Sequence, residues 1–286
     1  MKKNFPLTIT KMSGAGNTFA LLDGRHSSVW QDVEKTLGKS RPEFAKLVCD
    51  KVLGIATDGL LIIEEGAEGF DYNWDFYNSD GSTAEMCGNA ARCAARFCYE
   101  NSSSQEQGTI RFQTGAGLVT AQVLGNDKIR VKMPPARVLQ DKIELISQPG
   151  GAKEAFVLVN TGVPHLVQKI HNFGDTVALK DMAREMRSHA DLKPAGANVT
   201  FYAEDELGKI KAVTFERGVE DYTLACGTGA VAAALVCSRD SKVNEIEVRM
   251  PGGVMEVHFF ENDPCPLLIG DAVFIGDFQF NLEAIR

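Results

Sequence analysis

Residues 85–97 read EMCGNAARCAARF: a cysteine, a glycine and an asparagine lead into an alanine-rich run. The spacing of Ala, Cys and Phe from Cys87 to about Glu100 predicts a tightly packed helix, with Cys87 at its start. A second stretch, residues 224–237, reads LACGTGAVAAALVC and puts Cys226 in the same place ahead of another alanine-rich helix. Laid over one another, Cys87 falls on Cys226 with glycine next in both. Ala91 then falls on Ala230, Ala94 on Ala233, Ala95 on Ala234 and Cys98 on Cys237. Upstream, GIATDGLLIIEE (54–65) loosely matches GANVTFYAED (196–205), each a glycine-led strand. Self-similarity of this kind marks internal duplication, although two alanine-rich helices also match by composition. The expectation is two related halves, each bringing one cysteine to a helix start.

Around these helices the chain is mostly strand. LTITKM, FALLD and GLLIIEE precede the aromatic strand FDYNWDFYN, with a polar helical stretch around RPEFAKLVCDKVLG. NSSSQEQG reads as a solvent loop, followed by the strands TIRFQT, GLVTAQVL and KIRVKM. The Pro134–Pro135 pair is the candidate domain boundary, giving halves 1–133 and 134–272. Beyond it come EAFVLVNTGVPHLVQKI, a helix at VALKDMAREMRSH, then ANVTFYAED and KIKAVTFERG. The strands EIEVRMPGG, VMEVHFF and DAVFIGDFQFNL close the chain. Many strands and few helices, without strict alternation, give an α+β fold class.

Bulk properties narrow the function. The chain has 286 residues, 44% hydrophobic and 24% charged, which suits a soluble globular enzyme. A net charge of −8 argues against nucleic acid as a partner. No apolar run is long enough to span a membrane, and MKKNFPLTITKMSG breaks its apolar stretch too early for a signal peptide. Seven cysteines in no scaffold pattern point to reduced thiols and a cytoplasmic location.

A helix N-terminus exposes backbone N–H groups and the positive end of the helix dipole. A thiol there is expected to have a lowered pKa, and the same N–H groups can hold a carboxylate. The glycine after each cysteine lets a ligand approach the backbone closely. One such site suggests a nucleophile. Two of them suggest a proton removed from one face of a carbon and another delivered to the opposite face, as in a two-base racemase or epimerase. Such chemistry needs no cofactor. Cys49, Cys93, Cys98, Cys237 and Cys265 read as small core residues. Cys87, Cys93 and Cys98 lack the close cysteine pairs of zinc sites, so no metal is expected.

The runs KMSGAGNTFALLD, GIATDGLLIIE, YNSDGSTAEMCGNAARCAARF, TGVPHLV, GANVTFY and FERGVEDYTLACGTGAVAAA resemble, in order and approximate spacing, the successive motifs of diaminopimelate epimerases. The resemblance runs from about Lys11 to the C-terminus. It implies interconversion of LL- and meso-2,6-diaminopimelate, on the way to lysine and peptidoglycan, with no pyridoxal phosphate and no metal. It implies two similar α+β domains, each a curved, barrel-like sheet wrapped around a central helix, with the active site between them. The final strand, within 273–286, returns to the first domain in that architecture, and homodimers are usual.

Carried over residue by residue, the resemblance gives Cys87 and Cys226 the acid and base roles. Gly88, Asn89, Gly227 and Thr228 become helix-start donors for the α-carboxylate. Asn17, Asn78 and Asn198 match substrate-binding asparagines, and Glu216 with Arg217 matches a pair that reads the substrate's amino and carboxylate groups. His165 and Glu216 match positions that tune the thiols; a histidine after proline also serves as a structural hydrogen-bonder. Three positions depart from the family pattern. Val163 replaces a substrate-contacting asparagine, Gly59 stands where some members carry a ligand-contacting glutamine, and Thr18 replaces the commoner aspartate.

Another racemase of the same fold, acting on proline, hydroxyproline or histidine, is the rival reading. Arg217 argues against it, because a second, distal carboxylate gives a two-pronged guanidinium something to grip. An amino-acid binding protein without turnover leaves both helix-start thiols without a purpose. A thiol–disulfide oxidoreductase is a further alternative, with disulfide formation between the pair read as inactivation.

Overall fold

The computed structural model describes residues 6–25, 28–83, 86–102, 108–115, 117–125, 127–146, 153–174, 176–194 and 196–281. Most of the expected loop NSSSQEQG, and Ala84 and Glu85 of the first cysteine motif, lie outside the described residues. The chain divides into two compact units, one running to Val131 and resuming at Gly270, the other Lys132–Ile269.

The first unit holds strands β1 (Pro6–Gly14), β2 (Asn17–Asp23), β3 (Gly59–Glu65), β4 (Tyr72–Asn78), β5 (Thr109–Thr114), β6 (Gly117–Gly125) and β7 (Lys128–Lys132). Its helices are α1 (Ser28–Leu37), α2 (Arg41–Cys49) and α3 (Gly88–Glu100). The last strand of the chain, β17 (Val273–Asn281), pairs antiparallel with β1. From there the sheet runs β1–β2 antiparallel, β2–β3 parallel, β3–β4 antiparallel, β4–β5 parallel, then β5–β6 and β6–β7 antiparallel.

The second unit holds β8 (Arg137–Ile146), β9 (Lys153–Asn160), β10 (Pro164–Lys169), β11 (Asn198–Glu206), β12 (Lys209–Glu216), β13 (Asp221–Tyr222), β14 (Glu245–Met250), β15 (Gly253–Phe260) and most of β16 (Asp263–Asp271). Its helices are α4 (Thr176–Arg187) and α5 (Gly227–Ser241), with a short 3₁₀ turn at Ala190–Leu192. Strand β8 lies antiparallel to β9. The sheet continues β9–β10 antiparallel, β10–β11 parallel, β11–β12 antiparallel, β12–β14 parallel, then β14–β15 and β15–β16 antiparallel. This sequence of senses repeats that of the first unit strand for strand, with β13 as a short addition beside β12. The long helices fall at matching places: α3 between β4 and β5, α5 between β12 and β14.

Composition explains why these two helices are central. Ala90, Ala91, Ala94 and Ala95 of α3 have no exposed surface, nor have Ala230 to Ala234 of α5 with Val231 among them. A helix buried all round belongs in a core, and small side chains let strands approach from every side. Helix α3 accordingly touches β1, β2, β3, β5 and β6, and α5 touches β9, β10, β11, β12, β14 and β15. Strands so far apart in one sheet can meet one helix only if the sheet curves around it. In the first unit a second core lies over other side chains of β1–β3, where Leu7, Ile9, Leu22, Leu60 and Ile62 meet Val33, Phe44 and Val48 of α1 and α2. Strand β3 is therefore buried on both faces, which accounts for its unbroken apolar run Leu60–Ile63.

The longest elements not anticipated from sequence are α1, β8 and β16. Most of β8 is partly or fully exposed, so it shows no run of buried apolar residues, and in β16 the buried run is confined to Leu268, Ile269 and Gly270 behind two prolines. Of the cysteines read as core, Cys49, Cys93, Cys98 and Cys237 are buried, but Cys265 is not. It sits half-buried on β16, between Pro264 and Pro266, where a small side chain completes no core.

Candidate active site

Both singled-out cysteines are N-cap residues. Cys87 precedes α3 with φ −143° and ψ 123°, and Cys226 precedes α5 with φ −126° and ψ 109°. The extended backbone turns each side chain out of the helix while its carbonyl starts the helical ladder, accepting from Ala91 and Ala230 respectively at 2.8 Å. Cys87 is half-buried, and Cys226 is 7% exposed.

In the first unit two of the predicted polar residues, Asn17 and Asn89, meet at the start of α3. Asn89, buried, donates from Nδ2 to Asn17 Oδ1 at 2.7 Å, and Arg92 donates to Asn89 Oδ1 at 3.0 Å. Arg92 is completely buried, and its other hydrogen bonds go to the carbonyls of Asp271 (3.0 Å) and Gly88 (3.3 Å). A permanent cation thus lies under the helix start that carries Cys87, held by neutral oxygens. Asp58 fixes the opposite side, accepting from the Thr18 N–H at 2.8 Å and from Asn17 Nδ2 at 3.5 Å. Asn78 ends β4 opposite Gly59 and holds Ser82 through Nδ2 at 3.0 Å. Sequence reasoning passed over Arg92 and Asp58, although both stand inside the motifs that were read.

Gly59 has a packing reason. A Cβ there would stand 2.8 Å from the Phe76 ring and 2.8 Å from the Tyr77 carbonyl. Phe76 in turn meets Phe19 edge-on at 6.0 Å. A glutamine at this position would have to displace an aromatic pair. Val163 lies half-buried in the turn between β9 and β10 and accepts at its carbonyl from the Thr161 N–H at 3.2 Å.

The second unit gathers His165, Asn198, Glu216, Arg217, Cys226, Gly227 and Thr228. The Cys226 sulfur accepts from the Gly229 N–H at 3.3 Å and lies 3.4 Å from Thr228 Oγ1. Thr228 Oγ1 is also 3.0 Å from His165 Nε2, which faces Asn198 Nδ2 at 3.3 Å. Asn198 Oδ1 accepts from the Arg217 N–H at 2.9 Å, so the backbone of Arg217 orients this amide while its side chain is exposed. Glu216 ends β12 and accepts from Thr223 Oγ1 at 2.6 Å. Thr200 and Thr214, both buried and neither singled out in the sequence although Thr200 stands inside GANVTFY, complete the interior behind His165. Their signal in the sequence was a threonine at a core-facing position of a strand, where an apolar residue is the default.

The electrostatics correct one expectation. A helix N-terminus lowers a thiol pKa, yet the Cys226 thiol is pushed well above its ordinary value, first by burial and then by the neighbouring Glu216 carboxylate. Hydrogen bonds from Thr228 and Gly229 oppose the shift without cancelling it. Burial also raises Glu216, against hydrogen bonds from Thr223 and Cys226. Desolvation and a like charge together outweigh the helix dipole, so at neutral pH Cys226 holds its proton. Burial pushes His165 down to about 3, so its ring is neutral.

The two arrangements occupy equivalent places in their units. Asn17 and His165 stand at the starts of β2 and β10, Gly59 and Asn198 open β3 and β11, and Asn78 and Glu216 close β4 and β12. The first set reaches the start of α3 through Asn17 and Asn89, and the second reaches Cys226 through Glu216 and Thr228.

Comparison with known proteins identifies the family. The family model described as diaminopimelate epimerase matches residues 9–139 and 157–275. The diaminopimelate epimerase of Hydrogenobaculum sp. (strain Y04AAS1) is 38% identical over 231 residues, 80% of this chain and 82% of that protein. The diaminopimelate epimerase of Aquifex aeolicus (strain VF5) is 37% identical over 282 residues, 96% of this chain and 98% of the relative. Among solved structures, a hydroxyproline epimerase from Agrobacterium vitis superposes with a TM-score of 0.70 at 16% identity, covering 99% of this chain and 94% of that one. That likeness is one of fold, and the sequence matches carry the rest: the chain belongs to the diaminopimelate epimerase family.

Proposed function

We propose that the protein is an isomerase that interconverts LL- and meso-2,6-diaminopimelate by proton transfer at Cα, using Cys87 and Cys226 as a pair and no cofactor. The observation that carries this reading is the repeated N-cap cysteine, one in each unit of a chain whose family match spans both. A cysteine at such a position offers a proton-transfer group and, behind it, a row of backbone N–H donors for a carboxylate. Gly88, Asn89, Gly227 and Thr228 supply those donors.

The pair is polarised. Cys226 holds its proton beside Glu216 and serves as the acid first, while Cys87, over the buried Arg92 guanidinium, serves as the base; the reverse reaction exchanges the roles. Asn17, Asn78 and Asn198 line the substrate site, with Glu216 and Arg217 reading the amino and carboxylate groups. The exposed Arg217 side chain suits a distal carboxylate, which a proline-type substrate lacks. The enzyme works as a homodimer in the cytoplasm, where its seven free cysteines stay reduced. No described helix is long and apolar enough to cross a membrane.

Purified, reduced protein incubated with LL-diaminopimelate tests the reading directly. Chiral chromatography should show the meso isomer accumulating. Absence of meso product, with turnover of hydroxyproline or proline instead, would transfer the assignment to a sister racemase.

A further inference from the structure

Behind Cys226 the interior of the second unit contains a run of hydrogen-bonding side chains whose wiring the reading above does not use. It begins at Thr214 Oγ1, passes to Thr200 Oγ1 at 3.0 Å, to His165 Nδ1 at 3.0 Å, across the ring to Nε2, to Thr228 Oγ1 at 3.0 Å, and ends at Cys226 Sγ at 3.4 Å. His165, Thr200 and Thr214 have no exposed surface.

The directions along this run follow from its ends. Asn198 Oδ1 is committed to the Arg217 N–H, so the group facing His165 Nε2 is the Nδ2 amine, a donor. Nε2 must then be the unprotonated nitrogen, and the proton of the neutral ring sits on Nδ1. From there it is donated to Thr200 Oγ1, whose own hydroxyl hydrogen passes on to Thr214. The Thr228 hydroxyl, with one hydrogen, stands between two acceptors: the sulfur, and Nε2, whose lone pair it shares with the more distant Asn198 Nδ2. A thiol sulfur is a weak acceptor and leaves that hydrogen on Nε2. A thiolate is a charged acceptor and draws it over, since hydrogen bonds to ionised groups are about twice as strong as neutral ones.

We infer that Thr228 is a two-position donor, held by His165 Nε2 while Cys226 carries its proton and turned to Sγ when Cys226 gives it up. Thr200 and Thr214 are positioning residues that fix the ring tautomer on which the first position depends. The side chain of Thr228 thereby acquires a role distinct from its backbone, and the thiolate gains a second donor beside the Gly229 N–H without any heavy atom moving.

The ionisable groups around the sulfur are accounted for. Glu216 bears on it from β12 and His165 from β10, through Thr228. Strand β11 contributes the neutral Thr200 and Asn198, and β14 the thioether of Met250, which accepts from the Cys226 N–H at 3.4 Å. The charged residues of β14 and β15 (Glu245, Glu247, Arg249, Glu256) alternate with the buried positions and so lie on the opposite face. On β9, Lys153 is exposed and Glu154 is taken up by Gln168. Arg239 and Asp240 stand at the far end of α5.

The inference rests on the assignment of Cys226 as a proton-transfer group, but its test does not need turnover. Nitrogen-15 NMR of histidine-labelled protein, with His165→Gln to assign the signal, should find His165 protonated at Nδ1. Protonation at Nε2 would overturn the scheme. The pH dependence of Cys226 alkylation by iodoacetamide, read by mass spectrometry, supplies the second measurement. Thr228→Val keeps shape and loses the hydroxyl; its alkylation midpoint should rise by about one pH unit, and Thr228→Ser should restore it. An unchanged midpoint in a folded Thr228→Val protein would refute the two-position donor. Thr200→Val should release the Nδ1 proton and populate the other tautomer, with Thr200→Ser restoring the native one. An unaltered tautomer there would remove Thr200 from the scheme. Protein that meets these expectations yet makes no meso-diaminopimelate would leave the wiring intact and refute only the assigned reaction.

Discussion

At the scale of single residues, the outcome turns on which local effect dominates. The helix dipole alone would make both N-cap thiols acidic, but its contribution of roughly 0.3–2 kcal/mol is small beside the burial of a charge next to a carboxylate. Cys226 therefore keeps its proton, whereas Cys87 is half-exposed. Iodoacetamide at neutral pH should label Cys87 well before Cys226, and peptide mass spectrometry after brief exposure would show the order. Replacing either by alanine should reduce meso formation by at least about 10²-fold, the lower range for losing one positioned acid or base.

His165 gives a stability prediction of definite sign. Its folded pKa, about 3, lies below the ordinary 6.5, so between these values the unfolded chain binds more protons than the native one. Stability attributable to this ring is complete above pH 6.5 and is lost as pH falls, by about 1.4 kcal/mol per unit. Urea unfolding at pH 7.5 and 5.5 should show a fall in wild type larger by about 1.4 kcal/mol than in His165→Gln. Equal falls in the two proteins would mean that His165 takes up its proton in the folded state.

At the scale of elements, the start of α5 depends on one glycine. A Cβ on Gly229 would lie 2.1 Å from Thr214 Oγ1 and 3.1 Å from Thr214 Cβ. Thr214 is buried within β12, so the helix start must shift, and overpacking of this kind costs about 1–3 kcal/mol. Gly229→Ala should accordingly lower stability by that amount and lose more activity than stability, because Cys226 moves with the helix. Thr214→Ala in the same chain removes the closer contact, so the double variant should be more stable than the sum of the single effects. Denaturation midpoints of the four proteins in this cycle decide it.

The elements also show what was legible beforehand. The helices after Cys87 and Cys226 announced themselves by small-residue packing, and β3 by its unbroken apolar run. Helix α1 did not, since Ser28–Leu37 buries little beyond Val33 fully and reads as a polar stretch. Strand β8 stayed hidden because seven of its ten residues are exposed, leaving no alternation to detect. The polar network behind His165 was invisible for another reason. A threonine in a strand is ordinary by propensity, and only tertiary packing reveals that Thr200 and Thr214 point at a buried imidazole.

For the whole molecule, the repeated topology matters because it supplies an N-cap cysteine twice, in chemically different surroundings. The copy in the first unit places a guanidinium beneath its cysteine; the copy in the second places a carboxylate and a neutral imidazole beside its own. Identical surroundings would give both thiols the same proton affinity, and the resting pair would then have no preferred acid. On the proposed assignment, divergent surroundings fix Cys226 as the donor. Isotope exchange reports on this asymmetry. In D₂O the resting Cys226 carries solvent deuterium, whereas the base that removes the substrate's α-proton carries that protium until it exchanges. Early in the reaction from LL-diaminopimelate, deuterium should thus enter the meso product while recovered substrate stays unlabelled. A single group acting on both faces would instead return protium to the product or label both pools together. Mass spectrometry of the separated isomers at less than a tenth of full conversion distinguishes these patterns, and early label in the recovered LL pool would refute the two-thiol assignment even if meso product forms.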